Sequence, residues 1–153
     1  RDFILLNFHR KAYHMAGENI KALQRFASGL EVIESIEGRT TYYSANICLT
    51  MAKIHFFLQE FARAIYLYER SLDIYSHLLG FGHPYCFRVY ANLVYVCFAC
   101  NDTKKATQIA ERMTRAAAEA QHPEIFGVLN EIGNIYRKNS FPVEALNFYT
   151  LAM

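Results

Sequence analysis

Four alanines recur along the chain at a nearly constant interval, and this interval constrains the fold more than any other feature of the sequence. Ala22, Ala64, Ala106 and Ala145 are 42, 42 and 39 residues apart. Four residues after each alanine stand Phe26, Tyr68, Ala110 and Tyr149, and seven residues after stand Gly29, Ser71, Met113 and Ala152. The recurrence predicts a row of similar structural units rather than one irregular core.

A second helical segment precedes each alanine. Nine residues before the alanines the chain has Tyr13, His55, Cys97 and Tyr136, and thirteen residues before them it has His9, Met51, Leu93 and Ile132. Each unit is therefore predicted to be two amphipathic helices, here called A and B, with small residues where the helices approach closely. A single helix pair cannot bury its apolar surface, so such units stack on one another.

Glycine, proline and capping residues divide these helices. We predict helices over about 2–15, 18–36, 42–58, 61–79, 84–99, 103–120, 123–138 and 141–153. Joints between units are predicted at Gly38 with Thr40 or Thr41 as the cap, at Gly80 to Pro84 with His83 as the cap, and at 121–124. The A-to-B turns fall at AGEN, LQEF, CNDTK and KNSFP, where Asn101, Asp102, Asn139 and Ser140 are candidate caps.

This order of small and aromatic residues resembles the tetratricopeptide repeat, most closely in GNIYRKNSFPVEALNFY from Gly133 to Tyr149. LLGFGHPYCFRVYANL, from Leu78 to Leu93, is similar to the connector of kinesin-light-chain repeats. The resemblance implies an all-α fold, an α-solenoid of about four antiparallel helix pairs in a right-handed superhelix. One domain over 1–153 would hold repeats at approximately 2–38, 41–80, 83–121 and 123–153. The first repeat departs from the pattern, because Arg10 stands at a position that is normally small.

The composition suits a packed core and offers little for catalysis. Hydrophobic residues make up 53% of the chain, the formal charge is +2, and the basic residues are scattered. No apolar run approaches the roughly 20 residues that span a membrane. Phosphate-binding glycine loops and zinc-protease or serine-hydrolase motifs are absent from the sequence, so we expect no enzyme activity and no cofactor. Arg1 in place of an initiator Met and a final helix that runs to Met153 suggest a segment of a longer protein.

The cysteines and histidines are expected to have structural roles. Cys48, Cys86, Cys97 and Cys100 are predicted to be reduced packing residues of an intracellular, most simply cytoplasmic, protein. Cys97 and Cys100 form a C-x-x-C motif, but no second ligand pair for zinc follows it, so we expect no metal site. His55 falls on the core side of helix A and is expected to be a hydrogen-bonded interior histidine.

The predicted functional surface is the concave face, which helices A should line. Aligning the four A helices on the alanines places these residues in a peptide-binding groove: Asn7, Lys11, Asn46, Thr50, Lys53, Arg88, Asn92, Tyr95, Asn130 and Asn134. Phe8, Leu49, Ala91, Glu131 and Arg137 are their predicted neighbours. An asparagine amide can both donate to and accept from a peptide backbone. Asn92 also matches the peptide-contacting asparagine of kinesin-light-chain-like repeats, as the resemblance implies.

Several functions remain open from the sequence. The leading one is a scaffold that binds a peptide or a partner helix. The chain could instead be the accessory C-terminal helical lobe of a larger enzyme such as a SET-and-MYND methyltransferase, or an oligomerisation module that forms an end-to-end homodimer. Recognition of a C-terminal carboxylate is disfavoured, because Thr50 and Asn92 replace residues of that clamp. RNA recognition is disfavoured by the weak and dispersed positive charge.

Overall fold

The computed structural model describes the backbone of residues 2–120 and 122–153 and the side chains of residues 15–120 and 122–153. Within these ranges the chain is all helical, with helices α1 Asp2–Glu37, α2 Tyr42–Phe57, α3 Phe61–Leu79, α4 Pro84–Ala99, α5 Thr103–Ala120, α6 Pro123–Lys138 and α7 Pro142–Leu151. Helices α2 to α7 form three consecutive hairpins, each an A helix followed by a B helix. Their bounds agree with the predicted ones to within two residues.

The anchor alanines of the three hairpins lie between the paired helices. Ala64, Ala106 and Ala145 are buried. Close approach is most evident in the last hairpin, where a Cβ at Gly133 would lie 2.6 Å from Cε1 of Tyr149. Small residues therefore set the distance between A and B, as the repeat pattern predicts, and the larger buried residues fill the space beside them.

Each hairpin turns through the same backbone device. Gln59, Asn101 and Ser140 have φ of 61°, 60° and 70°, in the left-handed region. The next residue then donates its N–H to the carbonyl five residues earlier, as in Glu60 N to His55 O at 2.9 Å and Asp102 N to Cys97 O at 2.8 Å. These bonds satisfy carbonyls that the end of an A helix would otherwise leave unpaired. The three turns are therefore equivalent.

Side-chain caps begin the helices at the joints. Thr41 Oγ1 accepts from Ser44 N at 3.0 Å, and His83 Nδ1 accepts from Tyr85 N at 3.2 Å. Asp102 Oδ1 accepts from Lys105 N at 3.0 Å, which confirms it as a cap. Asn139 was a candidate cap for the last helix, but its amide donates back to Ile135 O at 2.8 Å, and α7 begins without a side-chain cap.

The first predicted hairpin does not form. The sequence predicts helices over 2–15 and 18–36 with a turn at AGEN, whereas α1 runs without interruption from Asp2 to Glu37. Leu23, Phe26 and Leu30 of α1 pack on the core beside α2, and Arg70 of α3 pairs with Glu34. The C-terminal half of α1 thus occupies the place of a B helix, with no A helix folded back on it from residues 2–15.

The cysteines pack as predicted in the hairpins. Cys48, Cys86 and Cys97 are buried, and Cys100 is half-buried at the end of α4. Burial raises the pKa of Cys86 to about 11 and that of Cys97 to about 12. Because the thiolate is the reactive form of cysteine, these side chains are poor nucleophiles.

A search of the helices in the described ranges finds none that combines the length and apolar character needed to cross a membrane.

Candidate peptide-binding groove

Helices α2, α4 and α6, the A helices of the three hairpins, line one face of the stack together. A cavity on this face has a volume of about 580 Å³. All three helices contribute to its lining, with Asn46, Leu49 and Lys53 from α2, Arg88, Ala91 and Asn92 from α4, and Glu124, Gly127, Val128 and Glu131 from α6. The stacking of hairpins therefore brings together residues that are far apart in the sequence, such as Asn46 and Glu131.

A second cavity of about 470 Å³ continues the first along the same three helices. Four residues line both cavities, namely Lys53, Ala91, Asn92 and Glu131. The second cavity adds Tyr95 of α4 and Asn134 of α6. The two cavities thus form a continuous groove, here called the A-helix groove.

Polar groups in the A-helix groove are already oriented by short hydrogen bonds. The Asn92 amide donates to Arg88 O of its own helix at 2.9 Å, and Asn134 Oδ1 accepts from the Tyr149 hydroxyl at 2.7 Å. Each bond uses only part of the side chain's capacity, since an amide has two N–H donors and an oxygen with two lone pairs. Both asparagines therefore retain donors or acceptors for a ligand.

Charges of both signs line the A-helix groove. The Arg88 guanidinium lies 3.8 Å from the Glu124 carboxylate and 5.8 Å from the centre of the Tyr85 ring. Arg88 and Glu124 are both more than half exposed, so this ion pair is weak and open to competition by a ligand. Lys53 and Glu131 are exposed farther along.

Aromatic side chains form both ends of the A-helix groove. At one end the rings of Tyr42, Tyr75 and Tyr85 lie within 5.9 Å of one another, centre to centre. Burial raises the pKa of Tyr75 to about 12. At the other end Tyr95 meets Phe56 at 5.4 Å while remaining 52% exposed. Tyr95 therefore presents a ring that a ligand can contact.

The structure brings together six of the ten predicted groove residues. Asn46, Lys53, Arg88, Asn92, Tyr95 and Asn134 line the A-helix groove. Thr50 and Asn130 lie on α2 and α6 but line neither cavity, and the Thr50 hydroxyl bonds to Asn46 O of its own helix. The side chains of Asn7 and Lys11 lie outside the described residues.

Sequence reasoning missed the tyrosine end of the groove and Glu124, the ion-pair partner of Arg88. Tyr42 and Tyr85 are the first or second residues of α2 and α4, and Tyr75 comes from a B helix. Glu124 is likewise the second residue of α6. The joints at Thr41, His83 and His122 mark where each A helix begins, so residues just after a joint carried the available signal.

His55 is buried as predicted, but its bonding differs from the prediction. Its Nδ1 has no hydrogen-bond partner among the described residues, and the carboxylate oxygen Oε1 of Glu60 is 3.7 Å away. Glu60 is held instead by Arg63 at 3.0 Å. The expectation of a fully bonded interior histidine is therefore wrong for Nδ1.

No protein-family model and no curated protein matches the chain. Solved structures do match. The crystal structure of BtubC (BKLC) from P. vanneervenii aligns with a TM-score of 0.70 and 22% identity over 89% of this chain, which spans 56% of that protein. A putative kinesin light chain with nearly identical TPR-like repeats from Podosopora anserina aligns with a TM-score of 0.68 and 16% identity over 93% of this chain and 69% of its own. A second crystal structure, of a variant of that protein, gives the same TM-score and identity.

These likenesses confirm the fold predicted from the repeats. The chain is an all-α solenoid of the tetratricopeptide-repeat type, similar to kinesin-light-chain repeats. Since BtubC extends well beyond the matched part, this chain corresponds to little more than half of that protein.

Proposed function

We propose that this chain is a non-catalytic protein–protein interaction scaffold that binds a peptide, or one helix of a partner, in the A-helix groove. The observation that carries the proposal is the continuity of the two cavities along α2, α4 and α6. The groove crosses the A helices of three successive hairpins, so its length grows with the number of stacked units. A long groove of this kind suits an elongated ligand better than a compact one.

The chemistry of the groove favours a polypeptide. Asn46, Asn92 and Asn134 supply one amide from each A helix along the groove. Amides pair with the N–H and C=O groups that an extended backbone leaves free. The exposed ring of Tyr95 supplies apolar contact area of the kind that often dominates binding energy. We infer that backbone contacts give affinity and that the aromatic ends select side chains.

The charge distribution favours a protein partner over a nucleic acid. The chain has 16 basic and 14 acidic residues, and both signs line the groove. Nucleic-acid binding depends on a concentrated basic surface that neutralises phosphates. The four free cysteines are in keeping with the reducing conditions of the cytoplasm.

A peptide-display screen against the 153-residue chain tests the proposal. Selected peptides are then measured against Arg88→Glu/Asn92→Ala, which changes two groove residues of α4. Arg112→Glu/Gln108→Ala is the matched control, because it makes the same type of changes at exposed positions of α5. We expect the groove variant to weaken most selected peptides at least tenfold and the control to bind as the parent does. Retention of all peptides by the groove variant would contradict the proposal.

A further inference from the structure

An ion pair joins the B helices of the first two hairpins. Glu69 of α3 and Lys105 of α5 lie 3.0 Å apart. Glu69 is five residues after its anchor alanine, and Lys105 is one residue before the next. The hydrogen bond to Glu69 raises the pKa of Lys105.

Between the next two B helices, α5 and α7, both equivalent positions are acidic. Five residues after Ala106 stands Glu111, and one residue before Ala145 stands Glu144. A carboxylate thus replaces the lysine ammonium of the preceding joint. Neither Glu111 nor Glu144 forms an ion pair with any residue in the described part of the chain.

A cavity of about 420 Å³ lies between these two glutamates. Its origin is visible in the repeats. One and eight residues after the anchor, α3 carries Ile65 and Leu72, whereas α5 carries Thr107 and Thr114. Both threonines line the cavity and turn their hydroxyls to their own helix, donating to carbonyls at 2.9 Å. The smaller side chains leave space that the larger aliphatic ones occupy in the preceding unit.

The cavity combines an apolar floor with a negative rim. Ala110, Phe148 and Leu151 supply carbon surface, and the ring of Tyr136 is buried at its side. Burial, followed by the charges of Glu144 and Glu111, raises the pKa of Tyr136. The field of both carboxylates therefore reaches the same buried ring.

We propose that this groove between α5 and α7 binds a lysine or arginine side chain presented by a protein partner. The aliphatic stem lies on Phe148 and Leu151, and the cationic head lies between Glu111 and Glu144. The head then has the role that Lys105 has between α3 and α5. Arg115 also lines the rim, and with two carboxylates and one guanidinium the lining keeps a net charge of −1. The site lies between B helices and does not depend on the A-helix groove.

The test is an amide chemical-shift titration of the chain with a five-residue peptide that has lysine at its centre and glycine on either side. A peptide with norleucine at the centre is the control ligand, because it keeps the stem and lacks the ammonium. The variants are Glu111→Gln/Glu144→Gln, which removes both charges, and Glu144→Lys, which recreates the ion pair of the preceding joint. Glu18→Gln/Glu119→Gln is the control variant, since it removes two exposed glutamates elsewhere.

We expect the lysine peptide to shift amides around Thr107, Glu111, Glu144 and Phe148, with binding at least tenfold weaker in the Gln/Gln variant and absent in Glu144→Lys. The control variant should bind as the parent does, and the norleucine peptide should bind at least fivefold more weakly. Equal binding by the Gln/Gln variant, equal binding of norleucine, or shifts spread over all acidic surfaces would overturn the proposal. Binding of spermine at this groove without binding of the lysine peptide would also overturn it, because the occupant would then be a free polyamine.

Discussion

The C-terminal half of α1 and helix α3 occupy equivalent places in successive repeats, but among the described residues only α3 is covered by a helix along the face that carries its anchor alanine. In α3 this face is buried on α2, and Ser71 Oγ donates to Ala45 O at 2.9 Å across the contact. In α1 the equivalent face is only half-buried at Ala22, Phe26 and Gly29. At its edge Val32 is 56% exposed, whereas Ile74, its equivalent in α3, is 6% exposed. The two helices therefore differ in whether their apolar face is covered by a neighbouring helix.

A turn residue permits a hairpin but does not close it. Gly17 stands 42 residues before Gln59 and is better suited to a left-handed turn than glutamine is, yet the helix continues through it. The apolar face is what the first unit lacks. Arg25 replaces Leu67 of α3, and the sequence has Arg10 where the later units have small or aliphatic residues. Closing the hairpin would bring Arg25 and Arg10 to positions that are buried in the later units, and burial of a charged guanidinium is unfavourable.

The largest expected difference is between two equivalent aliphatic residues, each ten positions after its anchor. Ile74 is 6% exposed, and Ile74→Ala should lower the free energy of unfolding by about 3 kcal/mol through lost burial and the cavity left behind. Val32→Ala should change it by less than about 0.5 kcal/mol, because Val32 faces solvent. Urea denaturation measures both. Similar losses in the two variants would mean that the face of α1 is covered.

The anchor alanines themselves give the next largest contrast. Ala64→Leu should lower the free energy of unfolding by about 2 kcal/mol, because the added methyl groups have no space between α2 and α3. Ala22 is half-buried beside an open face, so Ala22→Leu should have little effect. Thermal unfolding of the two variants checks this. An unchanged stability of Ala64→Leu would mean that the anchor alanines are not points of close contact between helices.

Most of the fold could be predicted because its determinants are local and repeated. The joints at Thr41 and His83 follow from capping chemistry that the sequence displays. Asn101 and Ser140, predicted as caps, are left-handed turn residues instead. The continuity of α1 could not be predicted, since it depends on whether two distant faces bury enough apolar surface against each other. In the groove, too, local features can be predicted from the sequence, whereas contacts between distant segments cannot. Helix register alone puts Asn46, Arg88 and Asn92 on one side of the A helices, but the positions of Tyr75 and Glu124 beside them depend on how helices from different units meet.

Alkaline pH should destabilise the folded chain. Burial raises the pKa of Tyr68 and of Tyr75 to about 12, whereas a tyrosine in the unfolded chain ionises near pH 10. Between these values the unfolded state binds fewer protons, so the free energy of unfolding falls as pH rises, by about 1 kcal/mol per tyrosine at pH 11. Unfolding measured from pH 8 to 11 checks this. Tyr68→Phe should reduce the slope, and an unchanged slope would count against the burial of that hydroxyl.

The smallest predicted effects concern the turn positions and have opposite signs. Gly17→Ala should raise the free energy of unfolding by a little under about 1 kcal/mol, because alanine favours a continuous helix and nothing lies within 4 Å of the added methyl group. Asn101→Ala should lower it by about 1 kcal/mol, because alanine is unfavourable at φ 60°. Thermal unfolding of both variants measures these changes. A loss of stability in Gly17→Ala would indicate a turn at that residue.

The central claim is that burial between facing helices, rather than the presence of a turn residue, closes a repeat. Pulsed electron paramagnetic resonance between spin labels at Leu6→Cys and Gln24→Cys, in a Cys100→Ser background, tests it most directly. A continuous α1 places these positions about 27 Å apart, since about 18 residues of helix rise roughly 1.5 Å each. A closed hairpin would bring them to roughly 10 Å, the spacing of packed helices, and that result would contradict the account.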